Sequence, residues 1–180
     1  VTTELQTERL RLRHWRADDL VPLVELFAIP EVWHYPLRRA FTSDESRAFL
    51  TRMIDRQRSD TPCPFAAEAT ETEQLIGYVG LSVPLFLPEI MPSVEIGWRL
   101  DPSYWGQGLA SEGARAVLPH AFETLKLDEL VSIYEPENEE SGKVMRRIGM
   151  HFDRDTTHPV DGLPLRVFKL SRQEWLSEVR

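Results

Sequence analysis

Chemistry is suggested first by the segment Tyr104-Trp105-Gly106-Gln107-Gly108-Leu109-Ala110-Ser111. Its two glycines remove side chains where the chain turns. Behind them Ala110, Ala114, Val117, Leu118, Ala121 and Phe122 recur at helical spacing. The first amides of a helix have no intrahelical acceptor, and the helix dipole places partial positive charge there. Glycine lets an anion such as a pyrophosphate approach those amides closely. Gly106, Gln107, Gly108, Ala110 and Ser111 are therefore candidate donors to an anion. Taken alone, Gly-x-Gly also reads as a plain turn followed by a helix cap. A Walker-type loop is excluded, because Gly-Lys-Ser/Thr is absent. A dinucleotide fingerprint fits poorly: its third glycine would fall on Ser111, and the loop lies past the middle of the chain instead of after a first strand.

Two further groups stand near this loop in sequence. Val94, Ile96, Trp98 and Leu100 alternate with Glu95, Gly97 and Arg99, the pattern of a half-buried strand, and Asp101-Pro102 ends it. Glu95 thus lies on the face opposite Val94, Ile96 and Trp98. A carboxylate there reads either as a general base working through water or as a surface glutamate in a salt bridge. Downstream, Glu139 to Ile148 reads as a short helix with Asn138 as its N-cap and Gly149 as its C-cap. Ser141, Met145 and Ile148 share one face of that helix, so a polar residue sits on an inward apolar stripe.

These groups must be positioned by the rest of the chain. Leu10 and Leu12 alternate with Arg9, Arg11 and Arg13 as a strand, the arginines reading as a solvated face. A helix follows from Asp18-Asp19 to about Ala28, and Pro30 to Pro36 reads as an aromatic loop. Thr42 with Glu45 forms a capping-box pattern before a helix to about Arg58 that carries Phe49, Leu50, Met53 and Ile54 on one side. Phe65–Thr70 and Leu75–Leu81 read as a hairpin across Glu71-Thr72-Glu73. Pro84, Pro88 and Pro92 argue against a central strand in the oily stretch Ser82 to Pro92. The helix behind the glycine loop runs to about Leu125, with Pro119 expected to disturb it. Leu130–Tyr134 is a strand, two more strands flank Asp161-Gly162, and Ser171 with Glu174 caps a last helical turn. The fold class is α/β (α+β), one domain over residues 1–180. Helices cover a mixed, mostly antiparallel central sheet.

The strand, loop and helix from Glu95-Ile96-Gly97-Trp98 through Asp101-Pro102 to Ser111-Glu112 resemble those of the GCN5-related N-acetyltransferase (GNAT) superfamily. The branch they are most similar to contains the ribosomal-protein N-terminal acetyltransferases. Asn138-Glu139-Glu140-Ser141-Gly142-Lys143-Val144-Met145-Arg146-Arg147-Ile148-Gly149 resembles the second motif of that branch, and Thr7 to Arg13 its opening strand. His158-Pro159 and Leu170 to Trp175 fit its tail, so the resemblance covers nearly the whole chain. It implies a sheet of about seven strands flanked by about four helices, acetyl-CoA as cosubstrate, and direct attack of a primary amine on the thioester in a ternary complex. Trp98 and Leu100 would pair with the pantetheine amides, Asn138 would hold the pantetheine arm or the neighbouring strand end, and Ser141 would donate to the departing thiolate. Glu95 is the candidate base. The superfamily often places a tyrosine near the thiolate, and Met145 occupies that position here.

The acceptor is not written in these motifs. Trp33, Tyr35 and Phe86 are candidate acceptor contacts, in segments that read equally as core or as a homodimer contact. A protein N-terminal amine, a small amine such as an amino sugar, polyamine or amino acid, and a CoA-binding module without turnover are the three readings. Net charge is -8 and no basic stripe is present, which speaks against nucleic acid. No apolar run approaches the roughly 20 residues of a membrane span, and Val1 to Leu12 has no apolar signal core, so a cytoplasmic protein is expected. The single cysteine, Cys63, excludes an internal disulfide and reads as an inert thiol; the five histidines show no metal-ligand spacing, so no metal is expected.

Overall fold

In the computed structural model, which describes residues 3–178, the strands follow the alternation in the sequence. They are β1 (Leu5–Gln6), β2 (Leu10–Arg13), β3 (Pro64–Ala69), β4 (Leu75–Ser82), β5 (Glu95–Leu100), β6 (Glu129–Tyr134), β7 (His151–Thr157) and β8 (Pro164–Ser171). They form one sheet in the order β1-β2-β3-β4-β5-β6-β8-β7. Neighbours are antiparallel except β5 and β6, which are parallel. The sheet has eight strands where about seven were expected. The addition is β1, two residues paired as Leu5 with Leu12 and Gln6 with Arg11, too short to leave a periodic signal. The two outermost positions at each end of the expected 1–180 domain lie outside the described residues.

The helices are α1 (Leu20–Phe27), α2 (His34–Leu37), α3 (Ser43–Arg58), α4 (Leu109–Pro119), α5 (Glu139–Arg147) and α6 (Arg172–Glu178). The capping box of α3 forms as its spacing predicts: Glu45 N–H donates to Thr42 Oγ1 at 3.2 Å and Thr42 N–H to Glu45 Oε2 at 2.8 Å. Ser171 and Glu174 make the same reciprocal pair at the start of α6. The aromatic segment expected as a loop is instead two short helical turns, Pro30–Trp33 and α2. Pro30 opens the first turn, where its missing N–H costs nothing. The long helix expected to reach Leu125 changes register at Pro119. Pro119 has no N–H to donate, and a π-helical turn carries the chain over His120–Thr124, closed by Leu125 N–H to the His120 carbonyl at 2.9 Å.

Two cores flank the sheet. On one face α4 and α5 bury Ala114, Val117, Leu118, Phe122, Met145 and Ile148 against Leu10, Val79, Ile96 and Leu130. On the other, α1 and α3 bury Leu23, Phe27, Phe49 and Met53 with Trp15 and Trp33. Of the three arginines read as a solvated face, Arg9 and Arg11 do reach solvent, but Arg13 does not. Arg13 is 4% exposed and bonds Asp19 at 2.7 Å and Glu68 at 2.8 Å, because α1 closes over this part of β2. Removing one partner of such a buried pair costs about 3–5 kcal/mol. β4 lies so close to β5 that a Cβ on Gly77, at φ +144°, would sit 2.0 Å from the Arg99 carbonyl oxygen.

Candidate active site

The parallel ladder between β5 and β6 is a single rung, Glu95 opposite Val131, in the middle of an otherwise well-paired sheet. Strand backbone groups alternate sides as side chains do. The Val94 carbonyl accepts from Val131 N–H at 3.0 Å, the Ile96 carbonyl from Ser132 Oγ at 2.8 Å, and the Leu100 carbonyl from the Trp105 indole at 2.8 Å. By the same parity the N–H and carbonyl of Trp98 face β6 across a stretch where the two strands do not pair. β5 therefore presents a usable strand edge at Trp98. At Leu100 the indole holds the carbonyl and leaves the N–H facing that side.

The glycine loop closes the end of this edge. Asp101 starts a turn over Pro102–Tyr104, accepting from Ser103 N–H at 2.8 Å. Gly106 (φ +73°) and Gly108 (φ +81°) adopt the left-handed conformation that the turn into α4 requires. No side chain caps α4. The first bond into the helix is Glu112 N–H to the Gly108 carbonyl at 3.0 Å, which leaves the earlier amides outside the helix ladder. Ser111 is 3% exposed, and its buried hydroxyl has no partner. Free amides beside an orphaned hydroxyl fit a phosphate. The loop is braced from the turn between β1 and β2: Arg9 donates to the Gln107 carbonyl at 3.0 Å and pairs with Glu112 at 2.6 Å, and Thr7 Oγ1 donates to Glu112 at 2.6 Å.

Glu95 lies on the face of β5 away from α4, as expected, but it is not a surface glutamate. Burial pushes its carboxyl up to about 7, against hydrogen bonds from Ser82 Oγ (3.2 Å) and the Ile133 backbone and the charge of Arg99, which pull it down. A carboxyl balanced near neutral pH can take and release a proton. Asn138 caps α5, its Oδ1 accepting from Ser141 N–H at 3.4 Å, and Met150 N–H closes the far end on the Met145 carbonyl at 3.0 Å. Ser141 is half-buried at the open end of the stripe that continues into Met145 and Ile148, both nearly inaccessible. Cys63 is pushed up to about 12 by burial, so it is a thiol at neutral pH.

The candidate acceptor residues separate. Trp33 is 8% exposed; its ring stacks on Phe41 at 3.8 Å and lies under the Arg99 guanidinium at 3.9 Å, which places it in the core. Tyr35 is half-buried beneath Arg38, and Phe86 is exposed and stacked on His158. The oily stretch before β5 is anchored by Leu87 and Ile90, which pack on Val131 and Val167. Sequence reasoning missed Glu135. It follows β6 on the same parity as Val131 and Ile133, is 7% exposed, and bonds Arg38 at 2.5 Å through Oε2 while Oε1 has no partner. Extending the alternation of Leu130–Tyr134 by one residue would have put it on the face of Glu95. Among the described residues no helix is long and apolar enough to cross a membrane, and no cluster of His, Cys, Asp or Glu could hold a metal.

Residues 9–151 match the family model of the acetyltransferase (GNAT) domain. The chain is 29% identical over 146 residues to the uncharacterized N-acetyltransferase YnaD of Bacillus subtilis (strain 168), covering 81% of each. An acetyltransferase from Agrobacterium tumefaciens superimposes with a TM-score of 0.77 at 27% identity, over 94% of this chain and 95% of that one. The fold is also that of RimL, a ribosomal L7/L12 alpha-N-protein acetyltransferase solved with coenzyme A, at a TM-score of 0.78 and 16% identity over 94% and 98% of the two chains. The chain thus belongs to the GNAT family as an acetyl-CoA-dependent N-acetyltransferase.

Proposed function

We propose that this enzyme transfers the acetyl group of acetyl-CoA directly to a primary amine, within a ternary complex, and that the amine is a protein or peptide N-terminus. The observation that carries the transfer is the Trp98 edge of β5, bounded by the Glu95 carboxyl at one end and the free amides of α4 at the other. The pyrophosphate rests on the amides of Gly106, Gln107, Gly108, Ala110 and Ser111 and on the Ser111 hydroxyl. The pantetheine amides pair with Trp98 and Leu100 as an added strand would, beside Asn138. Glu95 removes a proton from the ammonium, through water where needed, and the free amine attacks the thioester carbonyl carbon. The C–N bond forms as the C–S bond breaks. The thiolate leaves with a hydrogen bond from Ser141 and takes up, through solvent, the second proton that the new amide nitrogen sheds, while a backbone N–H on the β5 edge polarises the carbonyl oxygen.

Leu85 and Phe86 are exposed, in the stretch whose Leu87 packs on Val131 opposite Glu95, and suit contact with a chain segment. Thiol release from acetyl-CoA, measured across peptides with free N-termini, amino sugars, polyamines and amino acids, tests the proposal. Turnover with peptides supports it. Turnover with small amines alone would replace the acceptor, and the absence of thiol release with every one of these amines would reduce the chain to a CoA-binding module.

A further inference from the structure

One buried carboxylate takes no part in the transfer. Glu135 follows β6 with its side chain 7% exposed. Its Oε2 accepts from the Arg38 guanidinium at 2.5 Å, and among the described residues Oε1 has no hydrogen-bond partner. A buried carboxylate oxygen without a donor is costly, so the position calls for one. Leu130 and Tyr134 point into the core beneath α4 and α5, which puts Val131, Ile133 and Glu135 on the other face of β6. Val131 is the rung opposite Glu95, so the two glutamates share a face. From Val131 to Glu135 the chain advances roughly 13 Å at about 3.3 Å per residue. Charge on this face is unbalanced. Arg38 serves two carboxylates, lying also 3.8 Å from Glu137. Arg99, which shares the face of Glu95, is spent on the Val32 carbonyl, the Tyr78 hydroxyl and the Trp33 ring. Arg38 itself is at the surface, at the end of the four-residue α2 and over the Tyr35 ring at 4.6 Å.

We infer that Glu135 Oε1 binds a second cation of the acceptor, a lysine or arginine side chain of the peptide whose N-terminal amine reacts at Glu95. The inference rests on the peptide reading above and adds a charge requirement to it. An extended acceptor with its amine at Glu95 comes level with Glu135 within about four residues. The carboxylate then holds one cation on each oxygen, Arg38 on Oε2 and the acceptor on Oε1. Glu135 touches no reacting atom; it selects the acceptor. A neutral peptide leaves Oε1 buried and unpaired, and that cost supplies the discrimination.

The test uses peptides with a free N-terminus and lysine at position two, three or four, each against its twin with glutamine there. In the wild type one placement should lower the KM about tenfold relative to its twin, as expected for a charge-assisted contact. In Glu135→Gln that ratio should fall to about one. In Arg38→Gln it should widen, because the resident guanidinium no longer shares the carboxylate's charge; this variant decides the matter where Glu135→Gln does not fold. A wild-type ratio near one at every position would overturn the inference and leave the peptide reading standing. A ratio that survives in Glu135→Gln, or fails to widen in Arg38→Gln, would overturn it equally. Failure of every peptide to turn over would overturn the peptide reading, and this inference with it.

Discussion

Glu95→Gln separates catalysis from stability, because the same burial governs both. The Glu95 carboxyl is raised from an ordinary 4.5 to about 7, with burial as the leading cause. Between those two values the unfolded chain has released the proton and the folded chain still holds it. Stability therefore falls as pH rises through that window and levels off above about 7. At about 1.4 kcal/mol per pH unit the full difference is about 3 kcal/mol. Glutamine keeps the acceptor oxygen for Ser82 and the Ile133 backbone and carries no charge. Glu95→Gln should then match the wild type near pH 4 and exceed it by up to about 3 kcal/mol at pH 8. Urea melts at several pH values measure this directly.

The same variant should lose activity by about 10²–10⁴-fold, the usual worth of a positioned general base. In the wild type kcat/KM should climb with pH and bend near 7, and that ascending limb should vanish in Glu95→Gln. A stability difference that stays flat from pH 4 to 8 would refute the buried-carboxyl argument. A variant within about threefold of wild-type activity that keeps the limb would refute the base.

Gly108→Val places a β-branched residue at φ +81° in the mouth of the loop; it should abolish CoA binding in calorimetry while the thermal transition stays cooperative. Ser141→Ala should lower kcat by about 10–100-fold, the worth of a hydrogen bond to a charged leaving group, with the KM for acetyl-CoA unchanged; equal turnover would remove Ser141 from the chemistry. Gly77→Ala would drive a Cβ to 2.0 Å from the Arg99 carbonyl oxygen, so β4 and β5 must part; a loss of at least about 3 kcal/mol in denaturant melts is expected.

The parts of this fold that were legible are those with a local cause. Thr42 and Glu45 announce a helix start by chemistry that needs no partner element, and Asn138 with Gly149 brackets α5 in the same way. The glycine loop is legible because Gly106 and Gly108 serve the backbone itself. What escaped depends on contacts distant in sequence. Arg13 looks like a solvated residue until α1 folds over it and Glu68 arrives from β3. Trp33 looks like a substrate contact until Phe41 and Arg99 enclose it. Glu95 was assigned to the right face of its strand, but its hydrogen-bond partners, Ser82 on β4 and the Ile133 backbone on β6, cannot be read from residues 94–100. Glu135 was missed for the same reason, since its partner Arg38 is 97 residues away.

The two roles given to β5 depend on one another through parity. Even-numbered residues send Ile96 and Leu100 side chains into the α4 core and their carbonyls toward β6; odd-numbered residues send Glu95 and Arg99 to the opposite face. A slip of one residue would bury Glu95 among Ala114 and Val117 and turn the Trp98 backbone toward β4. Gly77 and Gly80 oppose Leu100 and Gly97 in the register that prevents it, and Gly77 has no room for even a methyl group. Substitution at Gly77 thus reaches beyond stability. A folded fraction that survived by shifting β5 would lose the edge and the acid together, so activity per folded molecule should fall as well. A Gly77→Ala protein with full activity per folded molecule would show that the edge and the acid are positioned by something other than this register.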